Sequence, residues 1–327
     1  MKGVCAASDF KTWLEVAYLY LTEPRKDKDI FNAIIGRQRS LLQNRDANPN
    51  VAYNDSLRTT LYGDSKRINP VTVDNLDEVD FDRIYEIYNE RFKDLSGMNL
   101  IVTGDIREDE FEDLICTYIA SLPGKRKKSQ TLMVGPNTLS LRQGTHKIIF
   151  KKNLKTPSSF TNIIFNSDRP YTAANNLRLD VLCQIMRGIF TETIREEKGG
   201  TYGVSVDGQF WRYPTDGCSM TISFRCSPDN YDELIGTIDE QIIKMAETGP
   251  TQEQLDRVMA YECKNYERAL LTNGWWEYIR FHELRDGIDF NKDYLENLRN
   301  LTADDIRNFC EELIDSGNRI EVTMQPL

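Results

Sequence analysis

The sequence predicts an α+β fold: two homologous domains of antiparallel sheet with helices packed on one face, the first domain truncated at its N-terminal side. Three observations lead there. The first third of the chain carries helical periodicity, the remainder opens with strand-like alternation, and one helix-then-strand pattern occurs twice. The repeated segments are LDEVDFDRIYEIYNERFKDLSGMNLIVTG and LRNLTADDIRNFCEELIDSGNRIEVTM. Leu76 aligns with Leu298, Val79 with Leu301, Ile84 with Ile306, Ile87 with Phe309 and Phe92 with Ile314. After a two-residue gap, NLIVT aligns with RIEVT. The second copy is preceded by strands and a long helix that the first copy lacks, so an apolar surface is expected where those strands are missing.

The elements follow in order. Trp13, Leu14, Val16, Ala17, Leu19 and Tyr20 mark an amphipathic helix. A second is expected with Pro24 near its first turn and Phe31, Ile34, Ile35, Leu41 and Leu42 as its apolar side. A third starts near Asp80, with Ile84, Ile87, Tyr88 and Phe92 on one face. MNLIVTG reads as a short buried strand, and DEFEDLICTYIASL as a helix stopped by Pro123 and Gly124. The basic run from Lys125 to Lys128 reads as a solvated linker. THKIIFK, SFTNIIFN, TYGVSVDGQF and CSMTISFRCS read as strands, with a helix from about Thr172 to Glu197 between the second and third. Helices are expected near 229–246, 251–271, 275–285 and 303–314, and RIEVTM closes as a strand.

The bulk numbers exclude several classes. At 327 residues the chain has room for two cores. A net charge of −10 argues against general nucleic-acid binding. No apolar run reaches the roughly 18 residues of a membrane span, and no signal peptide is evident at the start. Seven cysteines without C-x-x-C read as scattered free thiols, several of them buried. Zinc hydrolysis needs ligands such as histidines one helical turn apart with a carboxylate base. This chain has only His146 and His282 and neither H-x-x-E-H nor H-E-x-x-H, so both read as structural. DFNKDY from Asp289 lacks the glycine and glutamate of a calcium loop. No phosphate-binding loop and no G-x-S-x-G is present.

One stretch carries chemistry. In IREEKGGTYGVSV, Gly199 and Gly200 turn a helix end into a strand. Arg195 and Tyr202 can then share a cleft. A tyrosine hydroxyl there donates to a carbonyl oxygen that gains charge, and an arginine fork holds a peptide carbonyl or carboxylate. The plainer alternative is a capped helix, a solvated arginine and a tyrosine packed at a sheet edge.

The same stretch resembles the last domain of the pitrilysin/insulysin family of zinc peptidases, the inverted zincins, where an arginine is followed by a tyrosine seven positions on. LYLTEPRKDKDIF, YNERFKDLSGMNLIVTGDI and TYIASLP look like that family's third domain. SDRPYTAANNLRLDVLCQIM and ETGPTQEQLDRV look like its fourth. The resemblance implies a partial third-type domain over 1–124, a linker over 125–140 and a complete fourth-type domain over 141–327. It implies that Tyr202 assists at the scissile carbonyl, that Arg195 binds substrate, and that the chain holds no cofactor itself. Zinc is expected in an N-terminal half, on the same natural chain or a partner, with peptide as substrate. The alternatives are a non-catalytic peptide-binding or assembly subunit of this superfamily, or an unrelated α+β binding module. The compartment stays open between periplasm and cytoplasm.

Overall fold

The computed structural model describes residues 1–65, 67–125, 139–193 and 201–327. They form two compact units, each discontinuous in sequence. One comprises Met1–Asn44, Val71–Met133 and Leu271–Leu284; the other comprises Arg45–Pro70, Val134–Leu270 and Arg285–Leu327. Of the predicted linker, residues 126–138 lie outside the described residues.

The first unit is helical. It holds α1 (Phe10–Thr22), α2 (Lys28–Gln43), α4 (Val73–Asp77), α5 (Phe81–Phe92), α6 (Glu108–Tyr118) and most of α10 (Asn273–Asp286). In α1, Leu14, Ala17 and Leu21 recur at helical spacing and are its buried residues. Phe10 stacks on Phe111 of α6 at 5.8 Å, and Tyr118 donates to Glu15 at 2.9 Å. The second helix starts later than Pro24 suggests. The Asp27 carboxylate accepts from the backbone of Asp29 and Ile30, both at 3.0 Å, and this cap sets the start. Asp80 caps α5 in the same way.

The expected strand at NLIVT is corrected by the structure: residues 99–103 carry no regular structure. A strand needs neighbours to complete its ladder, and among the described residues this unit has no other strand to offer. Ile84 and Ile87 of α5 stay 49% and 43% exposed, while their repeat counterparts Ile306 and Phe309 are 0% and 2% exposed.

The second unit holds the sheet: β1 (Thr145–Lys152), β2 (Ser159–Ser167), β3 (Thr201–Trp211), β4 (Gly217–Cys226) and β5 (Arg319–Pro326), in the order β1-β5-β2-β4-β3. Four strands are antiparallel neighbours; β1 instead runs parallel to β5. The short 153–158 connection reverses the chain, so β1 and β2 run oppositely. A strand inserted between them must be parallel to one. The helices of this unit are α3 (Pro49–Tyr62), α7 (Ala173–Phe190), α8 (Tyr231–Thr248), α9 (Gln252–Ala269), α11 (Tyr294–Arg299) and α12 (Ala303–Asp315).

The main core joins Ile163, Phe165, Val206, Met220, Ile222 and Phe224 of the sheet to apolar residues of α7, α8 and α12. Ile306, Phe309, Cys310 and Leu313 of α12 are all buried there. The helices are not confined to this face. On the other, Ile164, Ile320, Val322 and Met324 cluster with Tyr53 of α3. The Tyr53 hydroxyl donates to the Val322 carbonyl at 3.0 Å, and its ring lies 4.5 Å from that of Phe160.

Within the main core face, Glu321 is buried in β5 among polar partners. Tyr231 donates to it, and Lys147 and Arg319 approach its two oxygens at 2.9 and 3.1 Å. Removing either cation alone leaves the buried carboxylate under-compensated. All seven cysteines are free; Cys183, Cys218, Cys226 and Cys310 are buried. Burial pushes the Cys218 and Cys310 thiols up to about 12 and Cys226 to about 11.

Two outcomes are expected. Phe309→Ala costs about 3–5 kcal/mol in urea unfolding, whereas Ile87→Ala at the repeat-equivalent exposed position stays within about 0.5 kcal/mol. Equal losses would contradict the burial difference. With a thiol reagent at pH 8, Cys5 and Cys116 react at once, and the four buried thiols react only on unfolding.

Candidate functional site

The site region is built by α7 and β3. Thr172 starts α7, its hydroxyl accepting from the Asn175 backbone at 3.1 Å. Leu177, Val181, Leu182, Ile185, Met186 and Phe190 bury the helix against the core. At its far end the Thr191 N–H bonds the carbonyls of both Arg187 and Gly188, and the Thr191 hydroxyl donates to Arg187 O at 2.8 Å. Residues 191–193 form a wider π-type turn, an irregularity frequent at functional positions.

The chain re-enters the described residues at β3, an edge strand held on one side by β4. From Val204 onward the pairing is regular, Val204 opposite Phe224 and Val206 opposite Ile222. A bulge between Thr201 and Val204 interrupts it. Tyr202 is thus the second residue of β3, inside the bulge. Arg195, Gly199 and Gly200 lie outside the described residues.

Three ties fix this corner. Arg187 on the last turn of α7 donates to the Val206 carbonyl at 2.5 Å and lies 3.4 Å from the Asp207 carboxylate. Arg257 of α9 donates to Glu192 at 3.1 Å. Gly208 lets α7 approach β3 closely: a Cβ there would lie 2.7 Å from Leu179 Cγ and 3.0 Å from Cys183 Sγ. Sequence reading singled out none of these residues.

Other clusters do not make a competing centre. Glu262 accepts from Gln184 at 2.5 Å and Tyr294 at 3.1 Å. Burial by the surrounding protein, and second to it the Glu262 carboxylate, raise the nearby Asp180 carboxyl to about 7, although part of Asp180 reaches solvent. Among the described residues no three histidine, cysteine or acidic side chains converge as a metal site. His146 bonds the Gln143 carbonyl at 2.9 Å, and His282 packs on Tyr278 at 4.4 Å. The depression at Tyr171, Arg212, Asp216 and Asp286 is closed by its own bonds: Asp216 accepts from the Tyr171 backbone, and Arg212 donates to the Asp286 carbonyl. No helix among the described residues is long and apolar enough to cross a membrane.

The family model for the peptidase M16 inactive domain matches residues 78–261, more than half of the chain. The chain belongs to the M16 peptidase family. A zinc protease PQQL-like protein of Arabidopsis thaliana is 20% identical over 282 residues, covering 82% of this chain and 29% of that protein. The crystal structure of the periplasmic protease PqqL from Escherichia coli superposes with a TM-score of 0.81 at 15% identity, over 99% of this chain and 36% of that one. An M16 inactive domain from Pseudomonas fluorescens gives a TM-score of 0.67 at 16% identity, over 98% of this chain and 76% of that one. The chain therefore spans about a third of the length of the plant protein and of PqqL. The M16 match is to the family's inactive domain, in agreement with the resemblance carried by IREEKGGTYGV. It includes all of α7 and β3.

The close approach at Gly208 gives a test of this corner. Gly208→Ala overpacks α7 against β3 and destabilises the protein by about 1–3 kcal/mol in urea unfolding. Full stability of the variant would mean that α7 sits farther from the strand.

Proposed function

We propose that this M16 inactive domain is the non-metal half of a zinc metallopeptidase, supplying residues that bind peptide and stabilise the transition state of hydrolysis. The observation that carries this reading is the IREEKGGTYGV segment, placed by sequence at the junction of α7 and β3 within the matched family region. In this reading residues 1–124 are a partial third-type domain and 141–327 a fourth-type domain, joined by a linker.

A zinc ion would be held by an N-terminal half and would supply there the Lewis-acid chemistry of carbonyl polarisation and water activation. The work of this chain is separate. The Tyr202 hydroxyl donates a hydrogen bond to the carbonyl oxygen as it gains charge, an interaction stronger in the transition state than in the bound peptide. Arg195 grips a peptide carbonyl or carboxylate through its planar donors and fixes the strand that is cut. Neither residue can activate water, so the chain alone is not expected to hydrolyse peptide.

The second reading is a non-catalytic peptide-binding or assembly subunit. The inactive-domain description of the family model favours it as much as the first reading, and the Arg195–Tyr202 pair weighs against it, since a scaffold has no need of an oxyanion donor.

Two measurements test them, and the second separates them. Elemental analysis of the dialysed chain is expected to find no tightly held zinc. In the full-length protein, or in this chain reconstituted with a zinc-bearing M16 half, Tyr202→Phe lowers turnover of fluorogenic peptides by about 100- to 1,000-fold. An unchanged rate would leave the assembly role standing and remove the catalytic one.

A further inference from the structure

The edge strand that carries Tyr202 is held to the sheet along one side only. One neighbour, β4, holds it, and the bulge between Thr201 and Val204 breaks the ladder just there. An edge strand beyond a bulge keeps a side chain in one place only if something else ties the backbone. Packing does part of this: Val204 and Val206 are buried under α7. It fixes the distance between strand and helix, and pairing with β4 on both sides of the bulge sets the register.

We infer that Arg187 is a positioning residue for Tyr202, clamping the first half of β3 to the last turn of α7; this rests on the catalytic reading of Tyr202 given above. Its guanidinium donates to the Val206 carbonyl at 2.5 Å and sits 3.4 Å from the Asp207 carboxylate. A planar group with two neighbouring acceptors restrains rotation as well as distance. The acceptor belongs to a fully buried residue, so the bond has a fixed end. Arg187 is equally fixed: its own carbonyl accepts from Thr191, and its cation lies at the helix C-terminus, where positive charge is favoured. The clamp therefore grips β3 four residues after Tyr202 from the last turn of α7.

The side chain of Arg187 is about half exposed. Truncating it opens no cavity and leaves Val204 and Val206 packed. Its effect is thus separable from folding.

The first readout uses the chain itself, with 3-fluorotyrosine placed at position 202 and followed by fluorine NMR. The wild type is expected to give one line displaced from the free amino acid. Arg187→Ala moves the line toward the free value or multiplies it, Arg187→Lys restores most of the displacement, and thermal unfolding of all three agrees within a few degrees. A line that Arg187→Ala leaves unmoved, or one at the free value in the wild type, would overturn the clamp. The second readout is peptide hydrolysis by the assembled enzyme. Arg187→Ala lowers kcat about tenfold, the size expected for a lost charged hydrogen bond, with KM within about twofold. In the Tyr202→Phe background the same substitution has no further effect. A full loss in that background would mean Arg187 acts through some other group. If Tyr202→Phe alone is harmless, the catalytic reading fails, and the fluorine spectrum still decides the clamp.

Discussion

β2 buries apolar residues on both faces and β5 turns Ile320, Val322 and Met324 to the second one; covering that second face is the constraint on which the rest of the sheet unit depends. Odd-numbered residues of β2 point to the layer of α7, α8 and α12, where Ile163 and Phe165 join the main core. Even-numbered Ile164, Ile320, Val322 and Met324 point away from it. Without a cover they would form a wet apolar patch of the kind that drives association. Helix α3 supplies the cover, with Tyr53 at its centre bonded to the Val322 carbonyl. Residues 45–70 accordingly belong with the sheet, although they interrupt the helical unit in sequence.

The second constraint is the buried carboxylate of Glu321. It occupies the helix-facing side of β5, beside Ile163 of β2 in the register. Lys147 from β1, Arg319 from its own strand and Tyr231 from α8 converge on it. A charge this deep makes little net contribution to stability, but it penalises any register in which its partners fail to meet it. It thereby selects the place of β1, a parallel edge strand that shares only one neighbour with the sheet.

Local signals made much of this legible in the sequence. The five strands announce themselves by β-branched alternation, and Asp80, Thr172 and Thr302 cap the helices where expected. The failures are those of tertiary context. NLIVT has the composition of a strand but lacks a ladder, whereas RIEVT with the same pattern lies between β1 and β2. Nothing in α3 says which surface it covers. The proline before α2 was outcompeted by an aspartate cap three residues on. In the site region, family resemblance singled out Arg195 and Tyr202 as candidates, and residue chemistry alone left them open. Arg187 was invisible for a different reason: its partner is a backbone carbonyl, and no side-chain pattern encodes that.

The bond between Tyr53 and Val322 joins residues 269 positions apart. During synthesis α3 leaves the ribosome long before β5 exists, and the face it covers is completed only when the last strand arrives. Until then the helix has no sheet to rest on, and Ile164 of β2 has no cover. Long-range closures of this kind are slow and expose apolar surface while they wait. Strand β5 is therefore also a timing element: it sits between β1 and β2, brings Glu321 to its cations, and decides when this sheet stops exposing its apolar face.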